Sequence, residues 1–220
     1  MLSYPKIQSI FKREDGSGKR PLVLWEWSKP SFEYLKNNLW IATEKVDGTN
    51  IRVVYFPNQR KVDFRGRTDA SQMYPGMREK LSALFSVEEL AKIFPADESK
   101  DKDHAVCLYG EGYGGCIQEG RNYRPDESFV LFDVRIGNWW LLRKDVEDIA
   151  EALRIDVVPI VLETPLDEFL IQFVKRGFLS YLSETRCPAE GLVLTPKIPL
   201  FERNGERIIT KIKHLDFVHK

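Results

Sequence analysis

The stretch "TEKVDGTNIRVVYF" (residues 43–56) joins a charged turn to the start of a strand. Lys45 and Asp47 flank one apolar residue, Gly48 follows, and a β-branched run begins at Ile51. A lysine that leaves a strand before a glycine turn is ordinarily a solvated hairpin residue. It can also be a nucleophile, because a deprotonated lysine attacks phosphorus. The stretch predicts a strand corner and leaves the role of Lys45 open.

The whole chain has the composition of a globular protein. Its 220 residues are 43% hydrophobic and 30% charged, with a formal net charge of zero. We expect one domain over residues 1–220, with residues 1–40 as a lead-in and no separate C-terminal domain. A neutral chain excludes nucleic-acid binding by the whole surface, so such a partner would bind a local patch.

The sequence also indicates a compartment. It has no apolar run long enough to span a bilayer, and no signal-peptide core follows Met1. Its three cysteines are an odd number without a CxxC pair, which argues against a disulfide framework or a thiolate zinc site. We therefore expect a cytoplasmic protein with no membrane partner.

Periodicity predicts an α+β fold with antiparallel sheets flanked by helices. Alternating or β-branched runs predict strands, and apolar residues at helical spacing predict helices. Neighbouring strands with few helices between them favour antiparallel pairing. The predicted strands are 51–56, 60–67, 105–111, 128–136, 138–142, 189–196 and 206–215, and the predicted helices are 75–94, 144–155 and 165–184.

Two stretches after the lysine corner carry polar groups at strand ends. "FRGRT" (64–68) places Arg65 and Arg67 two residues apart, as on many solvated sheet faces, although guanidinium groups also bind phosphate in a bidentate manner. In "LYGEGYGG" (108–115), Glu111 ends an apolar strand among glycines, which allow the backbone to approach a ligand closely. Taken alone, this second stretch is better explained as a flexible connection.

An aromatic residue stands beside an aspartate in the strand "SFVLFDV" (128–134). Strand alternation predicts that Phe132 and Asp133 point to opposite faces, so either could line a pocket. By default such a phenylalanine is a core residue. If it faces a pocket, it offers a stacking surface for a base.

The last two strands carry one carboxylate and two lysines. Glu190 heads the apolar strand "AEGLVLTP" (189–196), where a carboxylate can hold Mg²⁺ directly or through water. Lys211 and Lys213 alternate on one strand and therefore face the same side. Two parallel ammonium groups repel one another unless an anion such as a phosphate lies between them.

Each feature is weak alone, but together they supply what an attacking lysine needs around ATP. They provide a nucleophile, cations for the phosphates, carboxylates for a metal and a ribose hydroxyl, and an aromatic ring for a base. Nucleotidyl transfer depends mainly on positioning and on charge neutralisation. The set therefore indicates attack of an amine on the α-phosphate of ATP.

In their order and their residues, these motifs resemble those of the covalent nucleotidyltransferase superfamily, which includes ATP-dependent ligases and capping enzymes. The chain looks most like the RNA ligases of the phage and kinetoplastid-editing type, over about residues 40 to 215. The resemblance implies a nucleotidyltransferase (adenylation) domain with sheets and helices around an ATP pocket. It also implies ATP and Mg²⁺, or Mn²⁺, as cofactors.

The resemblance assigns a role to each matching position. Lys45 of "EKVDGTN" is the lysine that becomes a lysyl-AMP, and Glu190 is the metal-linked carboxylate, with Asp47 as a second metal candidate. Phe132 stacks on adenine and Glu111 holds the ribose. The remaining nucleotide-binding residues that it implies are Glu44, Asn50, Arg67, Lys211 and Lys213.

The implied reaction is RNA ligation. AMP passes from Lys45 to a 5′-phosphate end, and a 3′-hydroxyl then displaces it. The expected partners are RNA ends or nicks, with a DNA strand possible, and we expect a monomer. Asp47, the residue type found in DNA ligases and several other RNA ligases, stands where phage editing-type enzymes often have histidine, so the preference for RNA or DNA stays open. A DNA ligase or a GTP-using capping guanylyltransferase with the same chemistry is an alternative. A non-catalytic nucleic-acid-binding module of the same fold is a second alternative.

Overall fold

The computed structural model describes residues 3–14, 21–68, 71, 73–101, 104–118 and 120–217. The predicted lead-in over residues 1–40 therefore lies outside the described residues at 1–2 and 15–20. The strands are β1 (Gln8–Ser9), β2 (Phe11–Arg13), β3 (Leu22–Trp27), β4 (Trp40–Lys45), β5 (Thr49–Phe56), β6 (Lys61–Gly66), β7 (Val106–Gly114), β8 (Glu127–Ile136), β9 (Trp139–Trp140), β10 (Asp156–Val157), β11 (Ile160–Thr164), β12 (Gly191–Pro196) and β13 (Thr210–Lys213). The α-helices are α1 (Pro30–Tyr34), α2 (Pro75–Leu84), α3 (Val87–Ile93), α4 (Arg143–Leu153) and α5 (Glu168–Arg176).

The chain divides into two compact units. The first unit consists of Met1–Tyr4 and Asp47–Val158, and the second consists of Pro5–Val46 and Pro159–Lys220. The boundary at Val46 falls within the lysine corner, so Lys45 belongs to the second unit and Asp47 to the first.

The first unit is built on one sheet with helices on one face. The strand order is β10-β8-β7-β5-β6, with β9 paired to β8. The predicted hairpin is confirmed, because β5 and β6 pair antiparallel from Ile51↔Gly66 to Phe56↔Lys61. One face of this sheet packs with α2, α3 and α4 into an apolar core that includes Ile51, Leu131 and Leu81. The other face of the sheet is therefore free to carry polar side chains.

The predicted helix over residues 75–94 is wrong as a single helix. α2 ends at Leu84 and α3 begins at Val87, because the Ser86 hydroxyl accepts a hydrogen bond from the Glu89 backbone N–H at 3.2 Å and caps a new helix. The Ser-x-x-Glu spacing was a readable signal for this break. The predicted strand over 138–142 is also shorter and covers only Trp139–Trp140.

The second unit holds a five-stranded sheet and a small hairpin. The sheet order is β1-β13-β12-β4-β11, and β2 pairs with β3. Its core contains Trp40 and Ala42 from β4, Leu192 from β12, and Leu170 and Val174 from α5. The predicted helix over 165–184 shortens to α5, and the predicted strand over 206–215 shortens to β13. A 3-10 helix (His214–Asp216) follows β13.

Both sheets are largely antiparallel and are accompanied by few helices, so the predicted α+β class is confirmed. Among the described strands, only the two-residue strands β1 and β10 pair in parallel, β1 with β13 and β10 with β8. Within the described ranges, no helix has the length and hydropathy needed to cross a bilayer.

Candidate active site

Strand β12 places three predicted site residues together in the second unit. It lies between β4 and β13, and its Gly191 is opposite both Lys45 and Lys213. A Cβ atom at Gly191 would lie 2.2 Å from the Ile212 carbonyl oxygen, so only glycine lets the strands approach this closely. Glu190, the preceding residue, is thereby set between the two lysines.

The Glu190 carboxylate forms ion pairs with both lysines. Its Oε2 contacts Lys45 Nζ, and its Oε1 contacts Lys213 Nζ. The Glu190 side chain is 11% exposed and that of Lys45 is 21% exposed, so water screens these charges only partly. One carboxylate therefore holds the predicted nucleophile and a second cation at the same place.

Lys211 adds a third cation to this group. It precedes Lys213 by two residues on β13, as strand alternation predicted. Burial first, and then the charges of Lys45 and Lys213, lower the pKa of Lys211 to about 8, while Glu190 and Asp216 oppose the shift. Burial and like charges both disfavour the protonated form of a lysine. An anion placed against these lysines would relieve the repulsion, so this end of the strands favours a phosphate.

Glu44 lies on the opposite face of β4 from Lys45. Trp40, Ala42 and Glu44 alternate as buried residues along the strand, whereas Lys45 is half-buried. The Glu44 carboxylate accepts hydrogen bonds from the Ser180 hydroxyl at 2.5 Å and from the Tyr181 backbone N–H at 2.9 Å. Burial raises its pKa, against the effect of these two bonds. Its nucleotide-binding role stays a prediction.

Ser180 was missed by the sequence reasoning. It precedes Tyr181 in the segment after α5 and is buried, at 7% exposure. Its hydroxyl also accepts a hydrogen bond from the Leu182 backbone N–H at 3.1 Å, which fixes the turn that holds Glu44. No local pattern could have linked Ser180 to a residue 136 positions earlier.

In the first unit, three predicted residues lie at one end of the sheet. Asn50 on β5 is directly opposite Glu111 on β7, and Arg67 is the residue after Gly66, the last paired residue of β6. Cross-strand partners project to the same face of a sheet. Among the described residues, Asn50 Oδ1 is one of the buried oxygens without a hydrogen-bond partner. A buried amide oxygen of this kind is suited to a ligand donor.

The prediction that Phe132 and Asp133 point to opposite faces is wrong. Tyr109 pairs with Asp133 but Gly110 pairs with Leu131, so β8 has a bulge at Phe132. A bulge inserts an extra residue and shifts the alternation. Both side chains consequently contact Tyr4, which packs edge-on to the Phe132 ring at 5.0 Å and donates a hydrogen bond to Asp133 Oδ2 at 2.5 Å.

Phe132 lies on the sheet face away from the helices. Leu131 and Val134 belong to the apolar core, whereas Phe132 is only half-buried and does not. Besides Tyr4, which also packs against Trp140 at 5.9 Å, this face carries Tyr109. The face is rich in aromatic rings, the surface on which a base stacks.

A tight turn at Asp47 and Gly48 leads into β5 of the first unit. The Asp47 backbone N–H donates to the Tyr123 hydroxyl at 3.2 Å. A Cβ atom at Gly48 would lie 2.3 Å from the Gly112 carbonyl oxygen, so the glycine of "KVDG" is required by packing against β7. The side chain of Asp47 keeps its predicted role as a second metal candidate.

The described residues fit a metal that is held mainly by water and substrate. They contain no group of three or more His, Cys, Asp or Glu side chains able to bind a metal. Mg²⁺ is commonly bound by one or two carboxylates together with waters and substrate phosphates. Glu190 could supply that single carboxylate, although it is ion-paired with Lys45 and Lys213 and a metal would have to compete for it.

The structure thus gathers the predicted residues into two sets of five. Lys45, Glu190, Lys211 and Lys213 cluster on the second unit's sheet, with Glu44 on the other face of the same sheet. Asn50, Glu111 and Arg67 lie at one end of the first unit's sheet. Phe132 is two residues after Val130, the β8 residue that pairs with Glu111. Asp47 precedes β5. The pairs Asn50↔Glu111 and Val130↔Glu111 fix the register of the first unit's set.

Solved structures of a Naegleria gruberi RNA ligase are similar to this chain. A variant with ATP and Mn has 16% identity and a TM-score of 0.65, over 98% of this chain and 58% of that chain. A variant with AMP and Mn gives the same values. An apo variant has 17% identity and a TM-score of 0.60 with the same coverage. This chain therefore spans 58% of the length of those ligases, and its fold is that of an RNA ligase.

The family itself is shown by sequence. The family model described as RNA ligase matches residues 38–213, which is most of the chain. No curated protein matches this chain. The chain belongs to the RNA ligase family, as the order of its motifs predicted.

Proposed function

We propose that this chain is the nucleotidyltransferase domain of an ATP-dependent RNA ligase, with Lys45 as the residue that carries AMP. The observation that supports this best is the ion-paired group of Lys45, Glu190 and Lys213, with Lys211 beside them on β13. It presents one amine and two further cations on a single sheet. Membership of the RNA ligase family, and a fold similar to ligases solved with ATP or AMP and Mn, point to the same chemistry.

In the first step, Lys45 loses a proton to solvent and its neutral Nζ attacks the α-phosphorus of ATP. A P–N bond forms, the P–O bond to the β-phosphate breaks, and pyrophosphate leaves with the bonding electrons. Lys211 and Lys213 stabilise the charge that develops on the phosphate oxygens. Glu190 would hold Mg²⁺ or Mn²⁺, and the bound metal would supply further charge neutralisation.

We assign the nucleoside to residues of the first unit. Phe132 stacks on adenine, Glu111 accepts a hydrogen bond from a ribose hydroxyl, and Asn50 and Arg67 bind the nucleotide or its phosphates. This assignment is supported by the aromatic face around Phe132 and by Asn50 Oδ1, a buried oxygen without a hydrogen-bond partner within the described part of the chain.

In the second and third steps, AMP passes to a 5′-phosphate end of RNA, and a 3′-hydroxyl displaces AMP to leave a phosphodiester. The 5′-phosphate oxygen attacks the lysyl-AMP phosphorus, which breaks the P–N bond and returns the electron pair to Lys45. We further propose that residues 1–220 form one such domain, acting as a cytoplasmic monomer on RNA ends or nicks.

The test is covalent labelling with radioactive ATP or GTP in the presence of Mg²⁺, read on denaturing gels. We expect label from ATP on the wild-type chain and none on Lys45→Ala. Lys197→Ala is the matched control, because Lys197 is also ion-paired in this unit, to Glu163 at 2.6 Å. Label from GTP instead would indicate a capping enzyme. No label from either nucleotide would overturn the proposal in favour of a non-catalytic binding module.

Sealing identifies the polynucleotide. Nicked duplexes with RNA or DNA on each side of the nick separate an RNA ligase from a DNA ligase, and single strands test end joining. We expect sealing when RNA supplies the 3′-hydroxyl. Equal sealing of all-DNA nicks would contradict the RNA assignment and leave the adenylation intact.

A further inference from the structure

The lysine strand β13 is short and depends on its neighbours. It has four residues and lies between β12 and β1. β1 pairs with it in parallel, with Gln8 opposite Thr210 and Ser9 opposite Lys211. The Ile10 backbone N–H also donates to the Lys211 carbonyl at 3.0 Å. The N-terminal segment of the second unit therefore supplies the edge strand that pairs with β13.

An ion pair between Arg13 and Asp216 lies at the end of β13. Arg13 Nη2 lies 2.6 Å from Asp216 Oδ1, with side chains only 13% and 5% exposed. Arg13 Nη2 also donates to the Ser9 hydroxyl at 3.2 Å. The other Asp216 oxygen, Oδ2, accepts the backbone N–H of Lys213 at 2.9 Å. Asp216 thus connects Arg13 directly to the main chain of a phosphate-binding lysine.

Capping alone does not account for this arrangement. Asp216 would cap the 3-10 helix through Oδ2 without Arg13, and a buried ion pair adds little net stability once the cost of removing both charges from water is included. We infer that the pair instead fixes the position of β13 relative to its neighbouring strands. A slip of one residue in a strand turns every side chain to the other face, and here it would turn Lys211 and Lys213 away from Glu190.

We propose that Arg13 and Asp216 are positioning residues that hold Lys211 and Lys213 in register for attack on the α-phosphate. This inference rests on the proposed function. Both residues lie outside the segment 38–213 that the family model matches, so family membership alone does not point to them. Asp216 also faces Lys211 closely enough to oppose the lowering of its pKa.

The experiment compares Arg13→Ala, Arg13→Lys and Asp216→Asn for the rate of AMP attachment at saturating ATP. Asp216→Asn keeps an amide oxygen that can accept the Lys213 N–H but removes the charge that pairs with Arg13. We expect the rate to fall by about a hundredfold in Arg13→Ala and Asp216→Asn, as for a small misplacement of catalytic groups, with a smaller change in KM. Arg13→Lys should recover much of the lost rate.

The control is Arg143→Ala in the first unit. Arg143 forms an equally close pair, 2.7 Å from Glu147, and donates to the Val158 carbonyl at 2.6 Å. We expect this variant to lose stability but to label at the wild-type rate. A second readout is hydrogen exchange of the Lys213 amide, which should become faster in Arg13→Ala and stay unchanged in Arg143→Ala.

The outcomes separate the two proposals. The inference is wrong if Arg13→Ala and Asp216→Asn fold and label at the wild-type rate. It is also wrong if the loss of label is no larger than the loss of folded protein. Rates are expressed per folded molecule from circular dichroism, so if Arg13→Ala does not fold, Asp216→Asn and Arg13→Lys decide. A wild-type chain that takes no label ends the proposed function instead.

Discussion

The sheets of the two units carry equal numbers of predicted site residues but differ in chemistry. On the second unit's sheet, Lys45 and Lys213 are ion-paired with Glu190, and Lys211 lies two residues before Lys213 on β13. On the first unit's sheet, the set adds the Phe132 ring and the Asn50 amide to the charged Asp47, Arg67 and Glu111. Among the described residues, Asn50 Oδ1 is a buried oxygen without a hydrogen-bond partner. Pairing offsets the cost of burying charged groups, whereas a buried amide oxygen without a partner is suited to a hydrogen-bond donor from a ligand. We therefore propose phosphate chemistry for the second unit's charged group and nucleoside recognition for the first unit's set.

The largest expected effect separates the charge of Lys45 from its nucleophilicity. Lys45→Arg keeps a cation that can pair with Glu190 but stays protonated at neutral pH, so it cannot attack phosphorus. We expect covalent AMP labelling to disappear while the unfolding midpoint stays close to that of the wild type. Residual labelling at a normal rate would show that another residue carries AMP, and the charged sheet would lose its assigned role.

The next effect concerns the cations that do not react. Lys213→Met removes one partner of Glu190 and one phosphate contact, and we expect the rate of AMP attachment to fall by about a hundredfold or more. The measurement is single-turnover labelling over a range of ATP concentrations. Lys197→Met, which removes an ion-paired lysine outside the group, is the control and should label normally. Similar rates for the two variants would contradict the division between the sheets.

A smaller effect is expected on the aromatic sheet. Phe132→Ala removes a stacking surface, which for a base corresponds to about tenfold in affinity. We therefore expect KM for ATP to rise by about that factor with little change in the maximal rate, and Phe132→Leu to lie between. Trp139→Ala is a suitable control, since Trp139 lies on β9 and is 73% exposed. A loss of maximal rate alone would place Phe132 with the reacting groups.

The smallest effect is on stability and has a defined pH dependence. The pKa of Lys211 is about 8 in the folded chain, below its ordinary value, so the protonated lysine destabilises the fold at neutral pH. Lys211→Met should therefore unfold at higher denaturant concentration than the wild type at pH 7, while it labels more slowly. As pH rises above about 8, the folded wild type releases this proton before the unfolded chain does, and the advantage of the variant should shrink.

Equilibrium denaturation at a series of pH values measures this difference. Lys197→Met should show no such change with pH. A Lys211→Met variant that is less stable than the wild type at pH 7 would mean that packing of the lysine stem outweighs the charge effect. ATP with Mg²⁺ should stabilise the wild type more than Lys211→Met, because bound phosphate relieves the repulsion among the lysines.

Much of the fold was readable from local pattern. The β5–β6 hairpin and strand β8 follow from β-branched and aromatic runs, and alternation along β13 puts Lys211 and Lys213 on one face. Local pattern failed where one residue interrupted a period. Ser86 divides a predicted helix in two, and the bulge at Phe132 brings that ring and Asp133 to the same neighbour.

The sequence by itself determined the types of chemical group, their order along the chain and the family to which they belong. Only the tertiary structure decided which of them meet. Lys45 and Glu190 are 145 residues apart, Glu44 and Ser180 are 136 apart, and Arg13 and Asp216 are 203 apart. Periodicity is a property of adjacent residues, which share one strand and its alternation. Pairing of distant strands depends on topology and register, and these are set by packing of the whole unit.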